Sequence, residues 1–244
     1  YYSAHGVTGS GKPDVLAPGG TYALYDSESP HNLILAADSN NGEQFISGSD
    51  IVANDYTGIQ GTSMSTPHVA GLVELIIDAM ITNGTVWEWS EAQALKIKQL
   101  ICMGTWESND GEVFDGDGDG IPQDPPLNRN STDLVEGYGI IRADAVCQAI
   151  LNSTNNEIKG KEIYLDRRDG INASAQKVEL HAFDAVKDQT YQFAIAVPDT
   201  GDFDLLLYDK DYDGATGRPI LLTSSVKDEF GGYELVEFTA DSNG

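Results

Sequence analysis

Basic residues are scarce in this chain. Against 39 Asp and Glu stand 14 Lys and Arg, a formal net charge of −25 over 244 residues. That balance repels phosphate backbones and anionic headgroups, and so argues against nucleic-acid and anionic-membrane partners. It fits bound divalent cations, a saline setting or plain solubility. Cysteine is nearly absent. Cys102 and Cys147 are too few for a disulfide framework and lack zinc spacing; both fall on expected helices, where they could pair or stay as two buried thiols. No run of about 18 apolar residues exists, because Glu74 and Asp78 break the longest stretch, near Leu72 to Met80; no membrane span is expected. The opening Tyr1-Tyr-Ser-Ala-His-Gly6 has no start methionine, basic region or signal-peptide core, and Thr239 to Gly244 stop directly after a strand-like run. Both ends read as cut from a longer protein.

What is present describes a folded, turn-rich protein, with 40% hydrophobic residues and 26 glycines. A short buried strand is expected at Asp14 to Ala17, stopped by Pro18-Gly19-Gly20. A helix opens at Gly61-Thr-Ser-Met and runs to about Met80; its apolar residues cover most of the circumference, which predicts burial, and Asn83-Gly84 supplies the stop. Ser90-Glu-Ala-Gln93 has capping-box form and starts a second helix that closes at Gly104. A third spans about Arg142 to Leu151. Beyond the polar stretch Asn152 to Glu157 the pattern changes to period two. Strands are expected at 177–183, 190–197, 203–208, 219–223 and 233–238, with Leu180, Tyr191, Phe193, Ile195, Leu205, Leu207, Leu222, Leu235 and Phe238 as their core. Four sequons, at Asn83, Asn130, Asn152 and Asn172, permit N-glycosylation and tilt the localisation toward the cell exterior.

Gly61-Thr62-Ser63-Met64-Ser65-Thr66-Pro67-His68-Val69-Ala70-Gly71 carries the chemistry. A serine needs a base for its proton and donors for the oxyanion, and a helix N-terminus supplies the second through its unpaired amides. Pro67 is expected to be tolerated as a first-turn residue. The string resembles the Gly-Thr-Ser-Met-Ala-Thr-Pro-His-Val-Ala-Gly signature of subtilisin-like serine proteases, departing from it at Ser65, where alanine is usual. Lys12-Pro-Asp-Val-Leu-Ala-Pro-Gly19 is similar to the family's strand and turn before the nucleophile. Gly137-Tyr-Gly-Ile-Ile-Arg-Ala-Asp-Ala-Val146 is similar to its closing strand and helix. The resemblance implies an α/β fold: residues 1–153 as the C-terminal part of a parallel-sheet peptidase domain, with inserts at 20–57 and 105–132. It also implies Ser63 as nucleophile, with its own amide on the oxyanion, Thr62 supporting that site and Met64 packed beside it. In that family the triad runs Asp, His, Ser with about 150 residues between histidine and serine. With 62 residues ahead of Ser63, His5 and His31 are at the wrong spacing; His68 matches a structural position and His181 lies beyond the domain. The Asp, the His and an oxyanion Asn are expected from an upstream portion of the same protease. The substrate is then a protein or peptide. The alternative is a non-enzymatic surface or filament component that keeps the scaffold.

In the acidic insert, Asp115, Asp117 and Asp119 alternate ahead of Gly120, so three carboxylates can converge on a hard cation with the Ile121 carbonyl in the next position and Asp124 or a distant carboxylate closing the shell. Calcium is the expected ion, and a solvated acidic loop the plainer alternative. Asp209-Lys-Asp-Tyr-Asp213-Gly alternates similarly, but Lys210 favours a hairpin turn. Residues 157–244, around Asp202-Phe-Asp-Leu-Leu-Leu-Tyr-Asp209, resemble the small antiparallel, jelly-roll-like β-sandwich of pre-peptidase C-terminal type that is appended to secreted peptidases, here truncated.

Overall fold

The computed structural model describes residues 6, 10–20, 33–37, 56–106, 132–151, 178, 180–197, 203–227 and 232–243. They fall into two compact units, Tyr1–Ala4 with Ala17–Leu72, and His5–Leu16 with Val73–Gly244. The expected boundary at 153–157 lies outside the described residues.

In the first unit, β1 (Ile34–Ala37) and β2 (Tyr56–Ile59) pair antiparallel from Ile34↔Ile59 to Ala37↔Tyr56. The insert at 20–57 thus contributes β1. After β2 the chain enters α1 (Thr62–Thr82), and the division between units falls inside this helix. Burial of α1 is narrower than its composition predicts. Leu72, Ile76 and Ala79, spaced four and three apart, form one buried stripe, whereas Leu75 and Ile81 are 51% and 52% exposed. α1 is also long and apolar enough to cross a membrane, a test that core helices of soluble proteins pass as well; Glu74 and Asp78 stand on it. Its end is the predicted stop: Gly84 N–H donates to Ile81 O and Thr85 N–H to Met80 O, both at 2.9 Å.

In the second unit, α2 (Glu91–Met103) begins at Ser90, whose hydroxyl accepts from the Gln93 amide at 3.2 Å. The Gln93 side chain reaches past the cap to the Glu88 amide instead, at 3.1 Å. β3 (Thr105–Trp106) pairs antiparallel with β4 (Ile140–Ile141), which leads into α3 (Ala143–Leu151). The Pro-Asp segment forms less strand than expected. It is half-buried and joins β4 through one parallel bridge, Leu16↔Ile140, with Leu16 N–H on Gly139 O at 2.9 Å and Ile141 N–H on Leu16 O at 3.0 Å. Ile97, Ile101, Cys102, Ala145, Val146 and Ile150 are buried between these elements. Cys102 and Cys147 are both free thiols.

Toward the C-terminus, β5 (Thr190–Val197) pairs antiparallel with β8 (Gly232–Thr239), and β6 (Leu205–Tyr212) with β7 (Pro219–Ser225). Four strands stand where expected. Leu180 to Phe183 form no ladder; Phe183 packs on Tyr191 and Phe193, with ring centroids 5.4 and 4.8 Å away. Two core expectations fail. Leu222 is 40% and Leu235 53% exposed, because β7 turns Pro219 and Leu221 inward and β8 turns Glu234 and Val236 inward. A period of two permits one set per strand, and Leu235 shares no face with Phe238. Asp209 to Tyr212 belong to β6 and not to the expected turn, which starts later, at Asp213, whose carboxylate accepts from the amides of Ala215 and Thr216 at 3.2 and 2.8 Å.

α2 carries this β region. Gln99 is 0% exposed, and its Nε2 donates to Asp209 O at 3.1 Å and Asp211 O at 2.8 Å while Lys96 Nζ donates to its Oε1 at 2.7 Å. Tyr212 OH adds a bond to Ala92 O at 3.0 Å. The ladder of β6 with β7 is irregular between Tyr208 and Tyr212, so carbonyls turned away from it find donors on the helix.

Candidate active site

Ser63 is the second residue of α1 and is exposed. β2 brings the chain to Ile59 in extended form; Gly61 then turns it at φ +140, which a residue with a Cβ adopts only under strain. The Gly61 amide is held by Gly19 O at 2.7 Å, and its carbonyl accepts from the amides of Met64 at 2.9 Å and Ser65 at 3.3 Å. Gly61 is therefore the cap, and the Thr62 and Ser63 amides precede the first bond of the helix. Those amides and the helix dipole offer positive potential to an anion forming beside Ser63.

Three side chains shape this first turn. Thr66 Oγ1 donates to Thr62 O at 3.0 Å, and His68 Nδ1 donates to Met64 O at 2.8 Å. Pro67 lies inside the helix, not in its first turn, because α1 starts five residues earlier. It lacks the amide that would have reached the Ser63 carbonyl, so the helix omits a bond at the serine itself, a disturbance that costs about 3 kcal/mol in an ordinary helix. Thr62, Ser63 and Met64 are thus brought together as a contiguous turn, Thr62 exposed and Met64 half-buried. His68 is exposed on α1 and turned back to its own helix; His181 is exposed in the other unit. His5, His31, Asp115, Asp117, Asp119, Ile121 and Asp124 lie outside the described residues. Among the described residues no three His, Cys, Asp or Glu gather as a metal site.

The second unit holds a charged cluster that sequence reasoning missed. Asp14 Oδ1 lies 3.1 Å from Lys98 Nζ on α2 and 3.2 Å from Arg218 Nη2 after the β6–β7 turn, and Lys12 bonds the other oxygen. Arg218 also bonds Gly11 O, and its guanidinium lies over the Tyr138 ring, 5.8 Å from the centroid. Burial alone would raise the Asp14 carboxyl, but Lys12 and Lys98 outweigh it and hold the group below its ordinary value. Asp14 was legible as part of a motif; Arg218, 204 residues away, had no signal in sequence. A Cβ on Gly137 would collide with the carbonyls of Pro13 and Asp14, which is how the closing motif and the Pro-Asp motif come to touch.

Compared with known proteins, residues 1–139 match the model of the subtilase family. No curated protein matches the chain.

Proposed function

The chain belongs to the subtilase family of serine peptidases, and from that premise we propose that Ser63 is the nucleophile of peptide-bond hydrolysis through an acyl-enzyme. Ser63 Oγ attacks the scissile carbonyl carbon as a base takes its proton. The C–N bond breaks, the amine leaves with that proton, and water then releases the acyl group. The Ser63 amide donates to the oxyanion, Thr62 supports that turn, and Met64 packs beside it. The base and its orienting Asp, with an oxyanion Asn, come from a portion of the protease upstream of Tyr1, in keeping with the family's spacing. The observation that carries this reading is the exposed Ser63 on a glycine-turned helix start.

Three further assignments rest on sequence chemistry. Asp115, Asp117, Asp119, the Ile121 carbonyl and Asp124 would hold calcium, supported by their alternation ahead of Gly120. Residues 157–244 would form a pre-peptidase C-terminal-type sandwich, supported by four antiparallel strands. The protein would act outside the cell, supported by four sequons.

A fluorophosphonate probe tests the main reading. Labelling of Ser63 is expected in a protein that includes the upstream portion, none in its Ser63→Ala variant, and little in the 244-residue chain alone. Subtilisin without its histidine loses about six orders of magnitude in turnover. No labelling despite an intact upstream Asp–His pair would leave the non-enzymatic scaffold standing.

A further inference from the structure

Gly19 makes two approaches to the nucleophile turn. Its carbonyl accepts the Gly61 amide at 2.7 Å. A Cβ built on it would stand 2.8 Å from Gly61 O and inside the van der Waals shell of Ser65 Oγ, whereas ordinary contact begins at 3.4 Å. Gly61 O is the atom that caps α1, through Met64 and Ser65. The Ser65 hydroxyl is the one place where the signature string departs from its usual alanine, and it is the atom that crowds this approach most.

We propose that Gly19 is a positioning residue for Ser63: its bare Cα fixes the height of the Gly61 turn, and it does so as a size-coupled pair with Ser65. The proposal rests on Ser63 being the nucleophile. Gly19 touches no substrate; it acts through Gly61 O and the first turn. A side chain at 19 must push that turn or be pushed by it, and misplacing a reacting group by ~1 Å costs on the order of 100-fold in rate. The turn's displacement moves Ser63 and its amide together, so the loss falls on turnover and not on substrate affinity.

The test uses the protein with its upstream portion. Gly19→Ala is expected to lower kcat and the fluorophosphonate labelling rate roughly tenfold to 100-fold, with KM little changed. Ser65→Ala should cost little. In the double variant Gly19→Ala/Ser65→Ala the loss should be smaller than for Gly19→Ala, since one of the two collisions is gone; this is non-additivity expected of groups in contact. Gly58→Ala is the control. Its Cβ would meet Leu33, at 2.9 Å from Cδ1 and 3.0 Å from Cβ, and no atom of the Gly61 turn, so it should lower the melting temperature without changing kcat. If Gly19→Ala does not fold, the double variant should still fold and label slowly. Labelling of Gly19→Ala at the parental rate, additive effects, or a rise in KM with unchanged kcat overturns the proposal. A parent that does not label at all refutes the nucleophile assignment instead, so the two failures are distinct.

Discussion

Gln99→Leu removes the polar centre of the seam between α2 and β6. The glutamine is fully buried, and three bonds depend on it: Nε2 to Asp209 O, Nε2 to Asp211 O, and Lys96 to Oε1. Leucine fills similar volume but donates and accepts nothing. Each carbonyl stranded without a donor costs about 1–3 kcal/mol, and loss of the charged Lys96 bond about 1.5–3 kcal/mol. Burial of the leucine side chain returns about 1.5–3 kcal/mol. The net is about 2–6 kcal/mol, which in a protein of this size lowers Tm by roughly 4–24 °C. Lys96 Nζ also bonds Lys210 O, so the lysine retains one partner and the upper end is not reached. Differential scanning calorimetry of Gln99→Leu beside the parent reads the shift, and hydrogen exchange of β6 amides locates it. A Tm within 2 °C of the parent would show that water replaces the glutamine at no cost, and would refute a sealed seam.

Asp14→Asn should flatten the acid limb of the stability curve. The depressed Asp14 carboxyl contributes stability that is present above its ordinary value of 3.8 and lost as pH falls through the folded value, so urea midpoints from pH 6 down to 2 should drop less in the variant than in the parent. Cys102 and Cys147 should be inert to a thiol-disulfide exchange reagent at pH 8 until the chain unfolds: burial pushes the Cys102 thiol up to about 12, and burial with Asp144 and Asp78 raises Cys147. Fast modification of the folded protein would contradict both placements. Chelation should lower Tm in the parent and not in an Asp115→Asn/Asp117→Asn/Asp119→Asn variant; equal shifts would move the calcium assignment elsewhere.

Much of the site was legible because the nucleophile string is local. Helix start, cap and serine lie within a few residues, and chemistry that short can be read directly from sequence. The helices and the strands at 190–197 and 219–225 were legible for the same reason, each carrying its own period and stop signals. Long-range geometry was not. Gln99 reads as a solvent-facing residue on an amphipathic helix until strand carbonyls are laid across it. Gly19 reads as a turn residue until Gly61 and Ser65 are placed against it. Leu235 and Glu234 reversed places because hydrophobicity predicted the face, while Ser225 Oγ offered the buried carboxylate a donor. Pro67 was misplaced by a few residues, enough to convert a tolerated first-turn proline into one that empties the bond at Ser63.

The cluster on Asp14 also shapes the field the molecule projects. Lys12, Lys98 and Arg218 are three of only 14 basic side chains, and all three converge on one carboxylate. Lys96 turns to Gln99 and to a strand carbonyl, and Arg142 to Asp144. Three cations on one carboxylate leave a local surplus of two positive charges, so the cluster is a positive island in a chain whose net charge is −25. Farther out the net charge sets the sign, and cationic solutes approach faster than neutral ones. That advantage fades with added salt, on the length scale of about 8 Å that screening sets at physiological ionic strength.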